Sequence, residues 1–119
     1  MIKRKEFLQF ENLEVWKKSR ELVSFIYSST RLIQDRSFKD QLQRAGLSIM
    51  NNLAEGHEAG SAKANIRYLK IAKASSGEVR SMFYAAKDLK FVGAERSTDG
   101  ITRATEISKM ITGYIKSLQ

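Results

Sequence analysis

Not one proline interrupts the 119 residues of this chain. Average usage would supply about six. Proline removes a backbone donor and clashes with the preceding turn, so a chain without it can run in long helices joined by short connections. The apolar pattern uses that freedom. Val15, Trp16, Ser19, Leu22, Val23, Ile26, Thr30 and Ile33 recur at three-four spacing and predict a helix over about 13–33. Phe38, Leu42, Ala45, Ile49 and Leu53 predict a second over about 38–56. Asn65, Leu69, Ala72, Ser76, Val79, Phe83 and Ala86 keep a strict three-four alternation and predict the longest, over about 62–91. Ile101, Ala104, Ser108, Ile111, Ile115 and Leu118 predict a fourth over about 99–118.

Polar and glycine residues separate the four. Ser37 is a capping residue for the second helix, Gly56 and Gly60 suit the left-handed geometry that ends a helix, and Ser61 caps the third. Gly93 follows the third helix, and Ser97, Thr98 and Asp99 are capping residues for the fourth. Connections this short make sequential helices antiparallel neighbours, so the expected fold is all-α, an antiparallel up-down four-helix bundle. Residues 1–10 read as a basic lead-in, with Phe7, Leu8 and Phe10 available to pack on the bundle. Residues 1–119 show no strand alternation, internal repeat or domain boundary, and read as one domain. Gly46, Gly77 and Gly113 fall inside helices, at about 1 kcal/mol each relative to alanine. Close helix approach or tolerated imperfection accounts for such positions.

Several kinds of chemistry are excluded by composition. Without cysteine there is no disulfide, thiolate catalysis or zinc-thiolate site. His57 is the only histidine; His57-Glu58 opens a zinc-protease motif, but the second histidine would fall at Ser61, and the residue three before His57 is Ala54, not the glutamate of a di-iron bundle. His57 therefore reads as a solvated helix-end residue. Gly56 to Lys63 has three residues between its glycines, where a phosphate-binding loop needs four, and it follows a helix rather than a strand; it reads as an interhelical turn. No nucleophile and base can be paired, so no catalytic residue, metal ligand or cofactor is assigned and the chain reads as a non-enzyme. Glu6, Gln9, Glu11 and Asn12 interrupt any apolar run after Lys3, Arg4 and Lys5, and no stretch is long enough to span a membrane, so a soluble, cytoplasmic protein is expected.

Two surface features remain. The chain carries a net charge of +8, with a pI of about 9.9. Between residues 62 and 91, seven basic side chains (Lys63, Arg67, Lys70, Lys73, Arg80, Lys87 and Lys90) face two acidic ones (Glu78 and Asp88), so this segment holds +5 of that +8. At about 100° per residue all but Lys90 gather in one sector away from the apolar seam, with Lys73, Arg80 and Lys87 in a line and Tyr84 beside them. This is either a solvated helix face or a nucleic-acid surface on which Tyr84 stacks. The other feature is apolar surplus: Leu47, Met50 and Ala54 form a further stripe on the second helix, and Phe25 and Leu32 sit seven apart on the first. Such surplus points to a subunit interface. Between the two stripes of the second helix runs a polar line of Arg44, Ser48, Asn51 or Asn52, and Glu55. It is suited to a hydrogen-bonded network at the core edge or to plain surface.

That polar line carries a resemblance. Residues 41–56, QLQRAGLSIMNNLAEG, are similar to the signature R-R-A-x-x-S-I-x-x-N-I-A-E-G of the four-helix-bundle proteins encoded in intervening sequences of bacterial large-subunit ribosomal RNA genes. Residues 10–17, FENLEVWK, resemble the family's opening F-x-x-L-x-V-W, and residues 67–78, RYLKIAKASSGE, its third-helix pattern R-F-L-x-I-A-x-G-S-x-x-E. The three motifs fall in order at fitting distances over roughly 10–118. The chain departs from the pattern at Met50, where proline is frequent, at His57, Glu58 and Ala59, where an aromatic-Gly-basic run is usual, and at Ala74 and Gly77 around the serine motif. The resemblance implies a bundle that assembles into a ring-like homo-oligomer, typically a pentamer, and kinship with the accessory proteins of diversity-generating retroelements, hence nucleic acid and a polymerase-type partner. Arg44, Ser48, Asn52, Glu55 and Glu78 transfer as structural positions, and no catalytic residue carries over. The expectation from sequence is thus a homo-oligomeric module binding nucleic acid through its third helix. The alternative is a scaffold or accessory subunit whose basic surface docks an acidic protein.

Overall fold

The structure, a computed structural model, describes residues 9–119; the lead-in expected over 1–10, with Phe7 and Leu8, lies outside the described residues up to Leu8. A short 3-10 turn, Phe10–Asn12, leads into four helices: α1 (Glu14–Thr30), α2 (Arg36–Glu58), α3 (Ala62–Asp88) and α4 (Ala94–Leu118). Each helix packs beside the next, and α4 closes back on α1, giving a rod of 51 × 23 × 22 Å. At about 1.5 Å per residue, helices of 23 to 27 residues account for most of that length.

The seam lies where the periodicity places it. Leu22 and Ile26 of α1, Leu42, Ile49 and Leu53 of α2, Leu69, Val79 and Phe83 of α3, and Ala104, Ile107 and Ile111 of α4 form one buried cluster. On α4 the seam residue is Ile107, and Ser108, assigned to the seam from spacing, is only half-buried. Both fit a three-four step from Ala104, and the larger apolar side chain takes the interior. A small second cluster of Ile33, Ala86 and Val92 closes the end where α1 runs into α2. Ser19 and Thr30 are buried with their hydroxyls donating to the Val15 and Ile26 carbonyls, each at 2.8 Å, so neither leaves an unmet donor.

The helix ends differ from expectation in instructive ways. Asp35, not Ser37, caps α2, accepting from the Phe38 amide at 3.0 Å. Gly56 does not end α2; it is buried within it, where a Cβ would lie 2.6 Å from Asn65 Oδ1 and 2.9 Å from Tyr68 Cβ. The left-handed residue of that turn is Gly60, at φ +86°, followed by Ser61, whose hydroxyl caps α3 by accepting from the Ala64 amide. Helix α3 stops at Asp88 because Lys90 turns left-handed at φ 60°. Helix α4 begins at Ala94 behind Gly93, so Ser97 is no cap: it is buried, with its hydroxyl on the Val92 carbonyl.

Candidate nucleic-acid interface

The buried seam of α3 forces its other positions outward, and every basic residue expected on that surface, Lys63, Arg67, Lys70, Lys73, Arg80 and Lys87, is exposed. Tyr84 is 55% exposed and sits one turn from Arg80 and from Lys87. The two flanks of the helix differ. On one, Ser75 meets Ser48 of α2 at 2.8 Å and Glu78 accepts from Gln41 of α2 at 3.2 Å. The line of Lys73, Arg80 and Lys87 lies across the seam from these contacts, on the flank toward α4. Among the described residues the ion pairs are Lys17–Glu14, Lys18–Glu106 and Arg103–Asp99, all on α1 and α4. The cations of α3 thus have no carboxylate partner among the described residues. Arg67 lies over the Tyr68 ring at 5.4 Å.

The residues assigned to a subunit interface do not share one environment. The Phe25 ring stands 5.9 Å from that of Phe83, and the guanidinium groups of Arg96 and Arg103 each lie 4.6 Å from its centroid, so it is part of the α1–α4 packing. Arg96 is held there by donating to Ser29 and Ser28 at 2.7 and 2.6 Å. Met50 and Ala54 are half-buried against the core, and Leu47 is half-buried. Leu32 alone of the five stands free, at 85% exposure. The polar line of α2 is a network at Ser48: Asn52, rather than Asn51, donates to the Ser48 carbonyl at 2.8 Å and lies 3.1 Å from its hydroxyl. Arg44 and Glu55 are exposed.

His57 is not the solvated residue its position suggests. It is half-buried, with Nδ1 3.1 Å from the Tyr114 hydroxyl, to which Asn65 Nδ2 also donates at 3.1 Å. Asn65 Oδ1 is buried without a hydrogen-bond partner among the described residues and faces Gly56. These side chains, with Leu13, Ser61 and Leu118, line an open cleft at one end of the bundle. Sequence gives no local signal for a contact across 57 residues. Among the described residues no group of three or more His, Asp or Glu comes together to hold a metal ion, and no helix is long and apolar enough to cross a membrane.

Fold and surface together define a basic helical-bundle protein whose longest helix, α3, carries six exposed cations with no ion-pair partner among the described residues. Residues 11–113 match the family model of the 23S rRNA-intervening sequence protein, and the chain belongs to that family. It is also similar to a solved structure, a protein of unknown function of the S23 ribosomal protein family from Bacteroides thetaiotaomicron, with a TM-score of 0.79 and 25% sequence identity over 86% of this chain and 98% of that one. No curated protein matches.

Proposed function

We propose that this chain is a non-enzymatic, homo-oligomeric helical module that binds RNA or DNA electrostatically through the solvent face of α3. The observation that carries the reading is the row of exposed cations, Lys63, Arg67, Lys70, Lys73, Arg80 and Lys87, with no ion-pair partner among the described residues. Cations held this way exchange counterions for phosphates at little structural cost, whereas paired ones must first break a contact. The family is named for the intervening sequences of 23S rRNA, and that setting is in keeping with a nucleic-acid ligand. Ring assembly, with a pentamer favoured, follows the family resemblance and repeats the charged face around the particle, which raises avidity without new contacts.

Anisotropy titration of labelled RNA and DNA against salt tests the reading. The log–log slope should be about −0.7 per phosphate neutralised on single strands and about −0.9 on duplex DNA. Changing Lys73, Arg80 and Lys87 to glutamate should abolish binding while light scattering gives an unchanged assembly mass. Failure of the unaltered protein to bind either polymer at low salt refutes nucleic-acid binding and favours an acidic protein as the partner.

A further inference from the structure

The flank of α3 that bears Lys73, Arg80 and Lys87 faces α4, and α4 brings no carboxylate to meet it. Of the acidic residues of α4, Glu106 pairs with Lys18 of α1, Asp99 pairs with Arg103 on the α1 side, and Glu95 sits in the first turn. Along the α3 side of α4 stand Ile101, Thr105, Ser108 and Thr112, all half-buried and neutral; both threonine hydroxyls donate to carbonyls of their own helix. One helical turn beyond Thr105 and Thr112 come Lys109 and Lys116, both exposed and seven residues apart, with no ion-pair partner among the described residues. The two helices are antiparallel, and Gly100 lies against Phe83. Counting in opposite directions from that contact sets Lys109 level with about residue 74 and Lys116 with about residue 67 of α3. The α4 lysines therefore lie level with the stretch of α3 that carries Lys70 and Lys73, and the positive field runs from α3 across Thr105, Ser108 and Thr112 onto α4.

Resting on the reading above, we propose that the ligand surface spans the α3–α4 groove, with Lys109 and Lys116 as further phosphate contacts, and that its ligand is a single strand of nucleic acid. Charge complementarity selects the polyanion. Tyr84 selects the strand: its exposed ring sits among Arg80 and Lys87, and it can stack only on a base whose face is free, which a duplex conceals. From Lys73 to Lys87 the α3 row covers about 21 Å of helix axis, so one strand can meet the α4 lysines at one end of the groove and Tyr84 near the other.

The test compares the unaltered protein with Lys109→Gln/Lys116→Gln, Tyr84→Ala and a charge-matched control on exposed residues of α1, Lys17→Gln/Arg20→Gln, on labelled oligo-U, oligo-dT and a DNA duplex of the same length. Losing two phosphate contacts should flatten the single-strand salt slope by about 1.4 and weaken binding about 70-fold near 50 mM salt. The control should keep its slope. Tyr84→Ala should weaken both strands at least about fivefold and leave the duplex unchanged. Oligo-U and oligo-dT should bind within a few-fold of each other, since phosphates and a free base face are common to both and no contact here reads the 2′-hydroxyl; a clear preference for one overturns this set of contacts as the whole of the surface. An unchanged slope in the lysine variant, or an equal loss in the control, overturns the extension onto α4. Tighter binding to duplex than to strand, or a harmless Tyr84→Ala, overturns the choice of ligand. If the unaltered protein binds none of the three, the underlying reading fails rather than this extension of it.

Discussion

Gly56→Ala and Gly77→Ala make the same chemical change on two helices and should move stability in opposite directions. Replacing a glycine favours a helix by about 1 kcal/mol in its interior, as at Gly77, and by less in its last turn, where Gly56 lies. At Gly77 an added Cβ meets nothing within 4 Å, so that gain should appear nearly whole. At Gly56 the Cβ would lie 2.6 Å from Asn65 Oδ1, 2.9 Å from Tyr68 Cβ and 3.2 Å from the Asn65 carbonyl oxygen. The last two are fixed by the α3 backbone and cannot swing aside. Overpacking of this kind costs about 1–3 kcal/mol. If Asn65 rotates away instead, it breaks its 3.1 Å bond to Tyr114, worth about 1 kcal/mol. The helix gain offsets part of this, leaving Gly56→Ala about 0.5–2.5 kcal/mol less stable than the parent and about 1.5–3.5 kcal/mol less stable than Gly77→Ala. Urea unfolding followed by far-UV circular dichroism reads the difference, at one protomer concentration because assembly contributes to apparent stability. A Gly56→Ala variant as stable as Gly77→Ala, with an unchanged denaturant slope, would refute the claim that α2 and α3 meet here at backbone distance.

Two further substitutions probe contacts that join helices. Ser48→Ala leaves the buried Ser75 hydroxyl without its partner and should cost about 1 kcal/mol in the same urea assay, while Ser48→Ala with Ser75→Ala should recover part of that loss because no hydroxyl is then stranded. Phe25→Ala removes the ring between Phe83 and the Arg96 and Arg103 guanidinium groups; half-buried as it is, the loss should be about 2 kcal/mol, read as a fall in melting temperature of roughly 8 °C.

The seam was legible in the sequence because burial imposes three-four spacing on every helix, and Leu42, Leu69, Val79 and Phe83 are fully buried where that spacing puts them. The charged face was legible for the same reason, as its complement. Helix ends were less so. Asp35 and Ser37 are both good caps two residues apart, and only the chain path decides between them. Ser97 is a capping residue type that serves instead as a small buried side chain. Lys90 adopts a left-handed backbone that sequence assigns to glycine or asparagine. Phe25 and Leu32 do not form one helical stripe: a seven-residue step has meaning only while the helix continues, and α1 ends at Thr30. The His57–Tyr114–Asn65 contact and the two arginines over Phe25 join distant segments and have no local spacing to betray them.

Charge also bears on where copies of this chain can meet. Apposing two α3–α4 faces would set unpaired cations against each other, and like charges across an interface cost several kcal/mol. The turn between α1 and α2 has the opposite character. It mixes Arg31, Asp35, Arg36, Lys39 and Asp40, so both signs are available for pairing, and it carries Leu32 at 85% exposure. Phe25, committed to Phe83 and the arginines, is not available there. Homotypic contact is therefore expected to use Leu32. Burying one leucine contributes about 1.5–3 kcal/mol, so Leu32→Asp should weaken each contact roughly tenfold to a hundredfold. The side chain touches little within its own bundle, so protomer stability should change by no more than about 0.5 kcal/mol. Light scattering over a dilution series should show the variant losing mass at concentrations where the unaltered protein stays assembled, with nucleic-acid contact per protomer retained. A variant that holds its mass at every dilution would place the contact elsewhere on the bundle, and a parent protein with the mass of one protomer would remove the premise.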